Sequence, residues 1–203
     1  QVNLPLKFLA VSVLLFLCLA VPYRFARLYV KKFAHRPADL IFLGSILMIV
    51  VSIREFFGGA ASVLYDALSP YGITLEAFYS LMPIAFGAML VRLVLNSETA
   101  VIFAMTSTLV MGIHFDLSPT VLLHFLLVQI AGAGAVAYAD RRSALLKAGL
   151  WTGLIAAATA ITMNLIQAAA FVKSIDSTQW LWQAGLSLAG GVLAAAVVLM
   201  LTP

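Results

Sequence analysis

Long apolar runs separated by short polar turns extend along almost the whole chain. A helix needs roughly 20 apolar residues to cross about 30 Å of hydrocarbon, and seven runs reach or approach that length. They are Leu4–Val21, Ala38–Phe56, Leu75–Leu95, Glu98–Ile113, Pro119–Ala139, Ser143–Phe171 and Gln179–Leu201. Alternating strands with turn signals are missing from the pattern, which therefore predicts an all-α membrane protein, a bundle of seven transmembrane helices.

One predicted connection is longer than the others. Phe57–Thr74 begins with a Gly-Gly pair and ends with the turn sequence Ser-Pro-Tyr-Gly. Between these turns, five apolar residues share one helical face: Ala60, Val63, Leu64, Ala67 and Leu68. This segment is either a short helix lying in the membrane interface or an ordinary structured loop.

Basic residues gather on one side of the predicted bundle. Of the 12 Lys and Arg residues, three fall on the other side, namely Lys7, Arg54 and Lys173. The majority side holds Arg24, Arg27, Lys31, Lys32, Arg36, Arg92, Arg141, Arg142 and Lys147. By the positive-inside rule, the N-terminus is outside the cell and the C-terminus is cytoplasmic.

Composition limits the possible functions. Apolar residues make up 64% of the chain, charged residues only 10%, and the mean hydropathy is +1.08. A soluble protein of 203 residues could not bury so much apolar surface, so a soluble enzyme and a nucleic-acid-binding module are excluded. The net charge of +4 reflects orientation in the membrane, and the expected partner is lipid rather than nucleic acid.

The chain ends suggest a module from a longer protein. Residue 1 is Gln rather than an initiator Met, and Pro203 follows an apolar run without a polar tail. We therefore expect residues 1–203 to form a single transmembrane domain that was cut out of a longer receptor.

Two stretches and the last span carry a family resemblance. Ser80–Ile113 has a Pro near the start of a span, a Gly-Ala step and an immediate return span after a tight polar turn. Ala131–Leu165 has a Gly/Ala-rich span end and an Asp-Arg-Arg-Ser turn. Together with the final helix WLWQAGLSLAGGVLAAAVVLMLTP, they resemble the membrane domain of bacterial seven-transmembrane receptors with an intracellular HD hydrolase.

The resemblance implies a function for the longer protein. In that family an extracellular domain precedes the seven helices, and an HD domain, in some members a cyclic di-AMP phosphodiesterase, follows them in the cytoplasm. It also implies localisation in the bacterial cytoplasmic (inner) membrane. The family's catalytic His and Asp residues belong to the HD domain, and this chain has no HD dipeptide. We therefore expect the chain itself to have no catalytic residue and not to be an enzyme.

Other membrane chemistries lack the residues that they need. The last span contains no Lys that could form a retinal Schiff base. All acidic residues fall near span ends, and no Cys/His cluster offers zinc ligands. The sequence therefore predicts neither a cofactor nor a metal site.

Several polar residues nevertheless lie at membrane depth. If spans five and six form an antiparallel hairpin, His124 and Gln129 of span five lie beside Thr159, Asn164 and Gln167 of span six. Polar groups in a membrane need partners. They either line a pocket for a lipid-like or small amphiphilic ligand, or form interhelical hydrogen bonds that fix packing.

Arg54 is a further candidate, at the outer end of span two. It pairs with a residue of another helix, extends toward lipid headgroups, or binds an anionic ligand outside.

Small residues predict close helix contacts. Gly149 and Gly153 form a GxxxG step, and span seven has similar steps beginning at Gly185, Gly190 and Gly191. These steps indicate close packing within one bundle or, alternatively, a homodimer interface.

The leading functional hypothesis is a transmembrane sensor and transducer that couples an extracellular or lipid-like signal to a cytoplasmic HD domain. The alternative is a small solute transporter or a substrate-binding membrane subunit, which broken spans with polar groups at mid-depth would favour. A passive scaffold subunit is a third class, and it would have no ligand pocket.

Overall fold

The structure is a computed structural model, and it describes residues 4–33, 36–68, 73, 75–115, 118–139, 141–171 and 177–202. Within these residues every regular element is a helix, as predicted. The helices are α1 Leu4–Tyr29, α2 Pro37–Leu68, α3 Leu75–Tyr79, α4 Phe86–Val94, α5 Ser97–His114, α6 Pro119–Ala135, α7 Arg142–Phe171 and α8 Ser177–Leu201, and a short 3-10 helix Val136–Tyr138 follows α6.

Within the part of the chain that the structure describes, four helices are long and apolar enough to cross a membrane, and the chain is a multi-pass membrane protein. The four segments are Leu9–Tyr29, Pro37–Ala61, Arg142–Ile166 and Thr178–Leu201. Their outward faces expose large apolar side chains such as Phe16 and Ile41, as expected where lipid covers the surface. The third, fourth and fifth predicted spans are carried by the shorter helices α3 to α6.

The third predicted span is not one helix. The expectation of a continuous helix over Leu75–Leu95 is wrong, because non-helical backbone from Ser80 to Ala85 separates α3 from α4. Pro83 lies inside this break and cannot donate a backbone hydrogen bond. The break packs against α8, where a Cβ added at Gly190 would lie 2.7 Å from the carbonyl oxygen of Ser80. Non-helical backbone is tolerated at membrane depth where protein covers it in this way.

The second predicted span is longer than expected. Neither an interfacial helix nor a loop begins at Phe57, because α2 continues without interruption to Leu68. The pair Gly58-Gly59 therefore does not end the helix. Glycine costs only about 1 kcal/mol in a helix interior, and apolar surroundings favour backbone hydrogen bonds within the helix.

The described helices α7 and α8 pack very closely against each other. A Cβ added at Gly153 would lie 2.5 Å from the carbonyl oxygen of Leu188, and one added at Gly191 would overlap backbone atoms of Gly153. Gly149 likewise faces Ala195 and the backbone of Gly191. The small-residue steps at Gly149, Gly153 and Gly191 therefore serve packing inside the bundle, which removes them as evidence for a homodimer interface.

One end of the bundle joins α1 to the turn between α4 and α5. The side-chain amide of Asn96 donates to the carbonyl oxygen of Lys32 at 2.7 Å. The backbone N–H of Lys32 in turn donates to Glu98 Oε2 at 3.2 Å. These bonds bring the basic segment after α1 to the same end as Arg92 of α4, as the charge pattern predicts.

Candidate functional site

A cavity of about 300 Å³ lies at the opposite end of the bundle. It is formed by the middle of α2, the C-terminal half of α7, the first two turns of α6 and α8, and the end of α3. The lining residues are Arg54, Tyr79, Ser80, Ser118, Thr120, Val121, His124, Phe125, Ala160, Met163, Asn164 and Gln183. Three of the residues predicted from sequence, Arg54, His124 and Asn164, therefore share one cavity.

His124 is positioned by the first two turns of α6. Ser118 caps this helix by accepting a hydrogen bond from the backbone N–H of Val121 at 3.4 Å, and Pro119 occupies its first turn. His124 Nδ1 lies 2.8 Å from Thr159 Oγ1 of α7. The predicted hairpin, with His124 and Thr159 at the same depth, is confirmed.

The Thr159 hydroxyl also limits the tautomer of His124. Thr159 Oγ1 lies 3.0 Å from the carbonyl oxygens of both Ile155 and Ala156. When the single hydroxyl proton is donated to these carbonyls, Nδ1 of His124 carries a proton and donates to Thr159. Nε2 is then an acceptor that a donor on a ligand can use.

A polar pair joins α7 to α8 at the cavity wall. Asn164 Nδ2 donates to Gln183 Oε1 at 2.6 Å, and both side chains are half-buried. Gln183 was not among the residues predicted from sequence, although it is a polar residue in an apolar span and could have been found on that signal. This bond links the cavity to α8, the last helix that the structure describes.

Arg54 supplies positive charge to the cavity. Its guanidinium carbon Cζ lies over the ring of Tyr79, 4.4 Å from the centroid, and over the ring of Phe115 at 4.7 Å. A Cβ added at Gly58, one helical turn later, would lie 2.8 Å from Arg54 Nη1. The missing side chain at Gly58 therefore leaves room for the guanidinium to lie along α2.

The cavity combines this charge with an apolar wall. Arg54 is the charged residue of the described lining, and Val121, Phe125, Ala160 and Met163 provide apolar surface. Pockets of this kind bind molecules that have a polar end and an apolar body. The arrangement can thus hold an amphiphile.

Gln129 lies away from the cavity and is fully buried. It accepts a hydrogen bond from Ser107 at 2.9 Å and donates one to Thr108 at 3.0 Å, both on α5. These bonds join α5 to α6, which is the packing alternative considered for the polar residues. The side chain of Gln167 lies outside the described residues.

A second cavity, of about 190 Å³, lies between α1, α2 and α5. Its lining is mostly apolar, and Thr99, Thr106 and Ser107 are among its few polar residues. It has no charged residue in the described lining, so the cavity beside Arg54 is the stronger candidate site.

A known protein family matches almost the whole chain. The family model described as "7TM receptor with intracellular HD hydrolase" matches residues 5–203. No curated protein and no solved structure gives a significant match.

Proposed function

The chain belongs to the family of seven-transmembrane receptors with an intracellular HD hydrolase, and we propose that it is the sensor and transducer domain of such a receptor. An extracellular or lipid-like signal at the cavity beside Arg54 is coupled to a cytoplasmic HD domain of the cyclic di-AMP phosphodiesterase type. The observation that carries this proposal is the cavity wall shared by α7 and α8, joined by the hydrogen bond between Asn164 and Gln183.

The proposed topology has seven crossings of a bacterial cytoplasmic membrane. α3 and α4 together make the third crossing, and α5 and α6 make the fourth and fifth. The N-terminus is outside and the C-terminus is cytoplasmic, because the basic residues at the end containing Lys32 and Arg92 favour the inner side. The cavity beside Arg54 then opens near the outer surface.

The proposed mechanism is a shift of α8 relative to α7. A ligand changes an equilibrium only if it binds one arrangement better than the other. The Asn164–Gln183 bond lies at the cavity, so a ligand that replaces or protects this bond changes the relative energies of two arrangements. α8 runs without a proline from Ser177 to Leu201 and carries the change toward the cytoplasmic domain.

A cavity-filling substitution in the full-length receptor tests this proposal. Ala160 of α7 is buried and lines the cavity, whereas Ala158 of the same helix is exposed on the bundle surface. We expect Ala160→Phe to change the rate of cyclic di-AMP hydrolysis by the HD domain about fivefold or more, within the usual range of allosteric coupling. Ala158→Phe should leave the rate unchanged.

The rate would be measured on receptor reconstituted in nanodiscs and shown to be monodisperse. Asn164→Leu, which removes the link to Gln183 without filling the cavity, provides a second variant if Ala160→Phe does not fold. Equal hydrolysis rates in the wild type and in a folded variant of either kind would contradict the proposal.

The broken third span favours a second function, transport of a small amphiphile. Non-helical backbone from Ser80 to Ala85 adjoins the cavity through Ser80, and broken spans often form substrate sites in transporters. Proteoliposomes loaded with a labelled amphiphile distinguish this function. If the protein is a transporter, they release the amphiphile faster than protein-free vesicles do; if it is a receptor domain, the two rates are equal.

A further inference from the structure

From the surroundings of Arg54 we infer that the cavity binds a single-chain amphiphile with an anionic head group, and that the Arg54 guanidinium holds this head group. The inference rests on the proposed function, because it names the ligand class of the same cavity. Carboxylate and phosphate are the chemical groups that fit, since both accept two hydrogen bonds from a planar guanidinium.

The hydrogen-bonding capacity of Arg54 is not used by the residues that the structure describes. The guanidinium has five N–H donors, yet it forms no hydrogen bond or ion pair with any residue that the structure describes. Its neighbours are the aromatic rings of Tyr79 and Phe115, which attract the charge but do not replace hydrogen-bond acceptors. A half-buried cation in a membrane protein is costly without an anion, so a bound anion would remove the cost.

Arg54 is held beside the cavity by its neighbours. An arginine that extends to lipid headgroups needs a flexible, outward-directed side chain. Here the rings of Tyr79 and Phe115 hold the guanidinium, and the missing side chain at Gly58 leaves room for it. Arg54 and Tyr79 both line the cavity. The structure thus supports a preformed anion site better than a headgroup anchor.

The rest of the cavity suits the apolar part of such a ligand. Beyond Arg54, the cavity wall includes Val121, Phe125, Ala160 and Met163, which suit an alkyl chain. The volume of about 300 Å³ is at the lower end of the range for ligand pockets, which favours one chain over the two chains of a phospholipid.

Hexadecanoate and hexadecan-1-ol, which have the same chain length and differ in charge, test the inference on the purified chain in neutral detergent. We expect radiolabelled hexadecanoate to bind roughly tenfold or more tightly than the alcohol, because a hydrogen-bonded charge is involved. Arg54→Gln should abolish this difference, Arg54→Lys should keep part of it, and Arg27→Gln on the exposed surface of α1 should keep all of it.

Two glycine variants test the position of the guanidinium without removing its charge. Gly58→Ala introduces a methyl group that must displace Arg54, whereas one introduced at Gly59 meets no described atom within 4 Å. We expect Gly58→Ala to weaken hexadecanoate binding severalfold and Gly59→Ala to leave it unchanged. Equal binding by these two variants, each folded by circular dichroism, would overturn the assignment of Arg54.

Competition between radiolabelled hexadecanoate and unlabelled lipids or anions identifies the chemical source of the ligand. Displacement of hexadecanoate by free fatty acids supports a single-chain ligand. Displacement by phosphatidylglycerol alone, or by inorganic phosphate alone, overturns it in favour of a two-chain lipid or a soluble anion. Equal affinity for hexadecanoate and hexadecan-1-ol also overturns it.

The proposed function is tested separately. A hydrolase response to Ala160→Phe without hexadecanoate binding would refute only the ligand class. Hexadecanoate binding without any hydrolase response would refute only the transducer.

Discussion

The two halves of the α7–α8 pair differ in how closely the helices approach. In the half around Gly153 and Gly191, backbone touches backbone, and an added Cβ would overlap the facing helix. In the other half, Asn164 and Gln183 are joined by one hydrogen bond beside a cavity of about 300 Å³. The comparison indicates that the first half fixes the pair, while the second half has room for a ligand and for rearrangement.

The largest expected effect comes from disrupting the close half. Gly191→Leu places a side chain against the backbone of Gly153, and neither helix can move without losing its other contacts. Overpacking of this kind typically costs about 1–3 kcal/mol and occasionally more. We expect Gly191→Leu to lower the unfolding free energy by at least this amount, or to prevent folding, in detergent unfolding experiments.

Gly185→Leu is the matched control on the same helix. An added Cβ at Gly185 meets no described atom within 4 Å, and the residue is exposed. This variant should be as stable as the wild type. If both leucine variants have the same stability, the close half does not hold the pair together, and the comparison between the two halves fails.

A smaller effect on stability is expected from removing the polar side chains of Gln129 and Asn164, each of which joins two helices. Gln129→Met keeps the approximate volume but removes both hydrogen bonds to Ser107 and Thr108 in a fully buried place. We expect it to cost about 1–2 kcal/mol of unfolding free energy. Asn164→Leu should cost less than about 1 kcal/mol, because Gln183 is half-buried beside a cavity and retains access to other partners.

Thermal unfolding of both variants in the same detergent would compare them directly. A greater loss for Asn164→Leu than for Gln129→Met would mean that the cavity wall also serves mainly to fix packing. Asn164→Leu should weaken amphiphile binding more than Gln129→Met does, since Asn164 lines the cavity and Gln129 does not.

The sequence could predict depth along the membrane but not lateral arrangement. His124 and Thr159 were expected at the same depth because a short turn fixes the register of two antiparallel helices, and their contact at 2.8 Å agrees. Ser107, Thr108 and Gln183 also lie on helices adjacent in sequence to those of Gln129 and Asn164, so the same register argument gives their depth. Hydropathy does not encode which of its two neighbouring helices each polar side chain faces, so the pairing itself could not be derived.

The hydropathy pattern also could not predict where a span is interrupted by non-helical backbone. The break around Pro83 lies among buried apolar residues such as Met82 and Ile84, so its hydropathy equals that of a continuous span. Proline alone does not identify a break, since Pro22 lies inside α1 and that helix continues to Tyr29. The difference comes from tertiary packing, because α8 covers the carbonyls at Ser80 and Leu81, next to Gly190.

The smallest expected effect concerns an exposed pair that joins α2 to the end of α5. His114 Nε2 lies 3.3 Å from Glu55 Oε1, and the two side chains are 45% and 63% exposed. Exposed pairs contribute about 0–1 kcal/mol, so Glu55→Gln should barely change the unfolding free energy. The pair nevertheless lies next to the proposed anion site in sequence. Glu55 follows Arg54, and His114 precedes Phe115, whose ring contacts the guanidinium.

Anion binding by Glu55→Gln therefore separates two roles of this pair. If Glu55 acts only through its charge, removing a negative charge near Arg54 should tighten hexadecanoate binding about twofold at low salt, and salt should screen the effect. If the pair holds Phe115 over Arg54, binding should weaken at every salt concentration. We expect the first result, because an exposed pair is too weak to position a ring that already packs against the core.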